Sequence, residues 1–267
     1  MADDKAFTGS IPKIYETHLV PLIFEAYAQD LSARLATRAP RHVLEIAAGT
    51  GVVTRAMLHA LPAAAEIIAT DLNPAMLQQA AAHTLPRPVA FQQADAMDLP
   101  FDDQSFDAIV CQFGVMFFPD KGKALSEARR VLRPGGVLIF NVWDRIEDNE
   151  FAAAIDDALA RMFPDDPPKF LSRAPYGYFD RDRIAIDLAA GGFAAGAEMV
   201  TVTERSRARA ASDPAVGYCH GSPLRAEIES RGSLDEATAA AAAEIAKRFG
   251  AGPVDGKIQA IVIAVER

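Results

Sequence analysis

The stretch "HVLEIAAGTGVVT", residues 42–54, constrains the fold more than any other part of the chain. An apolar run, Val43-Leu44-Glu45-Ile46, leads into two glycines, Gly49 and Gly51, and a helix-compatible segment begins near Val52. That order reads as strand, tight turn and helix, because glycine tolerates the left-handed backbone such a turn requires. The turn leaves bare amides where a ligand can approach closely, and one carboxylate, Glu45, lies inside the apolar run.

The same alternation continues through the first half of the chain. After an amphipathic helix, "PLIFEAYAQDLSARLA", the apolar runs predict strands near 42–47, 66–70, 88–92, 106–112 and 136–143, with helices near 51–61, 74–83 and 121–132 between them. Short strands apolar on both faces and joined by helices imply a doubly wound, Rossmann-like parallel sheet. Ligands of such sheets bind beyond the carboxyl ends of the strands.

After Trp143 the pattern changes. A helix, a proline-rich loop from Phe163 to Tyr178 and a helix stopped by Gly191-Gly192 are predicted, followed by the strands "AEMVTVTERSRA" and "KIQAIVIAVER". Between these strands, 211–250 reads as a helical pair that includes the alanine-rich "LDEATAAAAAEIAKRFG". The expectation is one domain over residues 1–267, with a core at 42–143 and helical insertions at 145–190 and 211–250 forming a lid or acceptor pocket.

Composition narrows the partners. Half of the 267 residues are hydrophobic, enough for a full core. A net charge of −9 disfavours nucleic acid and anionic membrane surfaces and leaves small molecules as the partner class. No run of 18 apolar residues and no apolar signal core occurs, so no membrane insertion and a cytoplasmic location are expected. Cys111 and Cys219 read as reduced thiols, and the five histidines lack metal-ligand spacing, so no metal is expected.

Four strand ends carry polar residues: Glu45-x-Ala47-x-Gly49-x-Gly51, then Asp71, then Asp95-Ala96, then Gln112-Phe113-Gly114. All four fall on one edge of the expected sheet. An adenosine ligand needs such a set, with a carboxylate for the ribose hydroxyls, a polar group for the adenine amino group and bare backbone beside the nucleoside.

These motifs, "VLEIAAGTG", "IIATDLNPAML", "QADAMDLPFDDQSFDAIVCQFGVMFFPD" and "EARRVLRPGGVLIFNVW", resemble those of class I S-adenosylmethionine-dependent methyltransferases. The likeness is to the small-molecule branch that includes the ubiquinone and menaquinone biosynthesis enzymes. It implies a seven-stranded sheet with an antiparallel last strand, S-adenosyl-L-methionine as cofactor and methyl transfer to a small-molecule acceptor. It further implies that Glu45, Ala47, Gly49 and Gly51 line the methionine end and that Asp71 bonds the ribose. Leu72 and Met76 would then pack on the adenine, Asp95 and Ala96 read its edge, and Gln112 lies beside the methionine portion. Ala47 departs from the pattern, standing where the family usually has its first glycine.

Other readings compete with these. Asp71 before "LNP" also fits a helix cap, and "LRPGG" is read as a structural turn. Phe117 in "FGVMFF" and Trp143 are candidates for an acceptor wall or for plain core, and Tyr15, His18 and Tyr27 for a segment closing over the cofactor or for exposed surface. Tyr218, His220 and Arg225 of "GYCHGSPLR" are substrate-site candidates, with a helix-terminal ion pair as the alternative for Arg225. No catalytic base is dictated; the candidates are His18, His220 and Asp144. Two other functions stay open, an NAD(P)-dependent oxidoreductase and a non-catalytic S-adenosylmethionine-binding regulator. The dinucleotide pattern wants a third glycine, where this chain has Thr54.

Overall fold

Seven strands form one sheet in a computed structural model that describes residues 7–194 and 196–267. They are β1 (His42–Ile46), β2 (Glu66–Asp71), β3 (Ala90–Gln93), β4 (Phe106–Gln112), β5 (Leu132–Trp143), β6 (Glu198–Ala208) and β7 (Val254–Glu266). The order across the sheet is β3-β2-β1-β4-β5-β7-β6. Strands β3, β2, β1, β4 and β5 pair in parallel. Strand β7 runs antiparallel to β5: the Arg267 amide donates to Gly136 O at 2.9 Å and the Gly135 amide to Arg267 O at 3.3 Å. The expected mostly parallel sheet with an antiparallel last strand is therefore present.

The strand order reverses between β1 and β4. It is beyond the carboxyl ends of the strands at such a switch point that α/β sheets take their ligands. Both strands are apolar because helices cover both faces, and Val43, Leu44, Ala108, Ile109 and Val110 are fully buried.

The chain divides into two compact units. One comprises Glu25–Val142, Tyr178–Thr201 and Ile261–Arg267; the other comprises the residues up to Phe24 together with Trp143–Gly177 and Val202–Ala260. In the first, the helix Arg181–Ala190 packs on Lys121–Val131 so closely that a Cβ on Gly191 would lie 2.5 Å from Leu125 Cβ. Asp120 and Asp180 cap these two helices through their carboxylates. In the second unit, the alanine-rich helix Leu234–Phe249 buries Ala237, Ala241 and Ile245 at four-residue spacing. Ser233 caps it, and Arg161 and Arg248 pair with Glu244 along its flank.

Three elements differ from the sequence reading. The N-terminal helical run begins at Ile11, and Tyr15–Phe24 is a π-helix with Pro21 inside it, continuing as the α-helix Glu25–Ala36. Strand β5 starts at Leu132, so "LRPGG" lies within it: Phe106 pairs with Leu132, the next registered pair is Ala108 with Val137, and the intervening residues bulge out with Gly135 at φ +78°. Residues 211–250 hold three helices where a helical pair is expected, Ser212–His220, Leu224–Glu229 and Leu234–Phe249, with the turn at Gly221 and Pro223 separating the first two.

Candidate active site

The turn after β1 is left-handed at three positions: Ala47 (φ +55°), Gly49 (φ +56°) and Gly51 (φ +82°). For the glycines this is unstrained, whereas at Ala47 the side chain opposes it. Gly114 supplies the room for the Ala47 methyl. A Cβ on Gly114 would lie 2.5 Å from Ala47 Cβ and 2.8 Å from Cys111 Sγ, so bare backbone is required there. Gly51 likewise admits the helix Pro74–Ala81, since its Cβ would meet Ala80 Cβ at 3.1 Å.

Two buried carboxylates flank this turn. Glu45, near the end of β1, is 1% exposed and accepts a hydrogen bond from the Thr54 hydroxyl, while its backbone carbonyl accepts from Thr70 Oγ1 at 2.9 Å. Burial pushes its carboxyl up to about 8; the hydrogen bonds from Thr54 oppose the rise and the charge of Asp71 adds to it. Asp71, the last residue of β2, accepts from the Gly49 amide through Oδ2 and from the Asn73 amide through Oδ1, both at 2.8 Å. Burial raises its pKa too, against those amides. The helix cap is Asn73, so Asp71 is not spent on capping; it ties the β1 turn to the β2 turn.

The third and fourth strand ends complete the edge. Ala94 donates to Asp71 O at 3.1 Å, and the following turn closes on itself, with Met97 N on Asp95 Oδ1 at 2.9 Å and Asp98 N on Asp95 O at 3.0 Å. Ala96 is buried, Leu72 is exposed, and Met76 is buried with its Cε 3.6 Å from where a Gly49 Cβ would be. Gln112 ends β4 opposite Asn141 of β5. Next to it Phe113 adopts φ +51°, an uncommon backbone for an aromatic residue. Its amide donates to Asn141 Oδ1 (2.9 Å) and Asn141 O (3.2 Å), and its ring meets Tyr27 edge-on at 5.3 Å. Asn141 is fully buried, and its Nδ2 donor has no partner among the described residues.

The other candidates separate by unit. Phe117 is half-buried in a short 3-10 turn after β4. Tyr27 is fully buried, which removes the exposed-surface reading for it. In the second unit Trp143 is buried against Tyr176 (5.8 Å) and Phe24 (5.9 Å), and Tyr176 and Tyr218 share a hydroxyl contact of 3.0 Å. Burial pushes the Tyr218 phenol up to about 12. His18 lies beside Gly217, and Tyr15 stacks on Phe24 at 5.0 Å. His220 Nε2 contacts Thr238 Oγ1 at 2.9 Å, and burial followed by the Arg225 charge lowers its pKa. Arg225 pairs with Glu229 at 2.8 Å and reaches Ser10 Oγ at 3.0 Å, the helix ion pair named above as its alternative. Asp144 accepts from the Arg145 amide and from Gln259 Nε2, both at 2.9 Å.

Sequence reasoning missed Asn141 and Tyr176, and it places Gly114 at the fourth strand end without its role beside Ala47; in each case the importance comes from neighbours distant in the chain. Thr54 was noted as the residue replacing a third glycine. Its role as the hydroxyl donor to Glu45 needs the helix Val52–Ala60 folded back over β1.

This strand order, with carboxylates at the ends of β1 and β2 around a left-handed turn, is the Rossmann-like, mostly parallel seven-stranded sheet that the sequence motifs imply. Residues 44–140 match the family model described as "Methyltransferase domain". Over 106 residues the chain is 41% identical to the ubiquinone/menaquinone biosynthesis C-methyltransferase of Hahella chejuensis, covering 38% of this chain and 43% of that one. It is 39% identical over 112 residues to the demethylmenaquinone methyltransferase of Deinococcus radiodurans, covering 40% and 45%. The chain thus spans less than half the length of these curated relatives. Among solved structures, the YcgJ protein of Bacillus subtilis superposes with a TM-score of 0.57 at 23% identity, over 91% of this chain and 99% of that one.

Proposed function

We propose that this protein is an S-adenosylmethionine-dependent methyltransferase acting on a small-molecule acceptor in the cytoplasm. The observation that carries the reading is Asp71. Each of its carboxylate oxygens takes one backbone amide at 2.8 Å, it has no ion-pair partner among the described residues, and it stands at the glycine turn with lone pairs left for a ribose diol. The orphaned Asn141 Nδ2 donor and the bare backbone at Gly49 also fit an adenosyl amino acid at this edge.

In this reading Asp71 binds the ribose hydroxyls, Asp95 and the Ala96 amide read the adenine, Leu72 and Met76 pack on its face, and the 45–51 turn with Gln112 holds the methionine end. When bound, the cofactor supplies a methyl group on a cationic sulfur. The chain contributes orientation and exclusion of water, which suffice for an amine, thiol or activated phenol nucleophile. His220 and Asp144 are already engaged by Thr238 and Gln259, so we assign neither as a base. The region shared with the quinone-biosynthesis relatives is the cofactor core, and Phe117, on the same unit as the glycine turn, is the acceptor-wall candidate there. The dinucleotide alternative is disfavoured by Thr54, whose side chain fills the third-glycine position and bonds Glu45. Among the described residues no helix is long and apolar enough to cross a membrane. The free, buried thiols of Cys111 and Cys219 support a reducing compartment.

Calorimetric titration with S-adenosylhomocysteine and, separately, NADH tests the reading. Micromolar binding of the former is expected, weakened by about 1.5 to 3 kcal/mol in Asp71→Ala through loss of charged hydrogen bonds. Binding of NADH instead, or of neither ligand, overturns it.

A further inference from the structure

The Asp95–Asp98 turn is internally closed by two hydrogen bonds, but those bonds fix its shape and not its position. Its position depends on what holds the chain on either side. On the entry side the Ala94 amide is tied to Asp71 O. On the exit side both backbone polar groups of Leu99 are taken by side chains of the helix Lys121–Val131: the Leu99 amide donates to Glu127 Oε2 at 3.0 Å, and Arg130 Nη2 donates to Leu99 O at 2.9 Å. Arg130 Nη1 extends the grip to Phe101 O and Asp103 Oδ1, each at 2.8 Å.

The two side chains are also locked to each other. Arg130 Nε and Nη2 donate to the two Glu127 oxygens at 3.0 and 2.8 Å, a bidentate fork that holds both in one geometry. Glu127 is 7% exposed, so its carboxylate is more than a solvated surface charge on a helix. The Arg130 hydrogen bonds come first among the causes that keep its pKa low, with burial opposing them. An ordinary three-apart surface pair contacts no other backbone and contributes little. This pair takes two loop backbone groups besides Leu99 O, the Leu99 amide and Phe101 O, and with the Asp103 carboxylate it spans the 99–103 segment.

We infer that Glu127 and Arg130 are positioning residues that set the base selectivity of the cofactor site, acting through the Leu99 backbone on the turn that presents Asp95 and Ala96. The inference rests on the S-adenosylmethionine reading above and adds two residues that touch no part of the cofactor. Hydrogen-bond readout of a base edge fails with displacements of about 1 Å. Loosening the clamp therefore degrades discrimination at the base before it removes ribose binding, which belongs to Asp71.

The test compares S-adenosylhomocysteine with S-inosylhomocysteine, which differs in carrying an oxo group in place of the adenine amino group. Calorimetry on wild type is expected to favour the adenosyl ligand by about tenfold or more, the weight of one buried hydrogen bond. Arg130→Lys, which cannot form the fork, and Glu127→Gln are each expected to narrow that preference to within about threefold. Asp71→Ala weakens both ligands alike and leaves the ratio unchanged. A purely structural role for the clamp lowers the melting temperature, measured in parallel, without moving the ratio. Retention of the wild-type ratio in folded Arg130→Lys and Glu127→Gln overturns the inference, as does a wild type that binds the adenosyl ligand without base preference, which leaves the cofactor assignment standing. A wild type that binds neither ligand removes both.

Discussion

The two ends of the same sheet treat their carboxylates in opposite ways. At the carboxyl ends, Glu45 and Asp71 are buried and meet a hydroxyl or amides, and burial wins, raising both pKa values. At the amino ends, Asp107 near the start of β4 also feels burial most strongly. There, however, it accepts from Arg133 Nη1 at 2.5 Å, from the amides of His42 and Arg41 at 2.8 and 2.9 Å and from the His42 ring, which together hold its carboxyl down at about 2. A carboxylate matched by a guanidinium is satisfied by the fold, whereas in the proposed reading one that keeps its desolvation cost against hydroxyl and amide donors is reserved for a ligand.

The largest effect expected from this contrast is a pH dependence at Glu45. Its carboxyl is raised from 4.5 to about 8, so the folded state binds a proton that the unfolded state has released between those values. The stability associated with the protonated carboxyl is therefore complete below about pH 4.5 and lost as pH rises through about 8. The full loss amounts to as much as ~5 kcal/mol at ~1.4 kcal/mol per unit. Urea denaturation of cofactor-free protein between pH 5 and 9 is expected to show wild type falling more steeply than Glu45→Gln, the difference between them being the Glu45 contribution. Parallel curves for the two proteins contradict the assignment of Glu45 as the unmatched acid.

The next effect concerns the backbone of the same end. Gly114→Ala sets a methyl against Ala47 Cβ and Cys111 Sγ inside van der Waals distance, with Gly114 and Cys111 buried and Ala47 half-buried. Overpacking of this kind costs about 1 to 3 kcal/mol, measurable as a shift in the urea midpoint. Ala47→Gly in the same chain is expected to recover part of it, since the Cys111 contact remains. Equal losses in the single and double variants break the pairing of Ala47 with Gly114.

That pairing marks where the sequence stops being legible. The strand ends can be read because apolar runs stop abruptly at glycine or aspartate, and the positions of Glu45, Asp71 and Gln112 follow from local pattern alone. Ala47 is visible in the sequence as a departure from the family pattern, but what accommodates it is not, because Gly114 reaches it through the adjacency of β1 and β4. The same holds for the orphaned Asn141 donor on β5 and for Arg130, which reads locally as one of several basic residues on a helix. The π-helix Tyr15–Phe24 escaped notice for another reason: Pro21 reads as a helix start by the usual signal, whereas here it lies inside a helical run begun at Ile11.

The smallest effect belongs to the matched end. Asp107 is held below its ordinary value of 3.8, so its contribution is present above about pH 4 and lost as pH falls toward 2, the reverse of Glu45. Its side chain is 28% exposed and that of Arg133 40%, so solvent screens the pair, and the contribution is about 1 kcal/mol. Other carboxylates protonate in the same window, so the informative quantity is the difference between wild type and Asp107→Asn, not either curve alone. That difference is expected to be about 1 kcal/mol at pH 7 and to vanish near pH 2, with S-adenosylhomocysteine affinity equal in the two proteins at pH 7. A difference constant down to pH 2.5 means that Asp107 acts by packing rather than by charge. Weakened ligand binding in Asp107→Asn means that the two ends of the sheet are coupled, and the division between satisfied and reserved carboxylates fails.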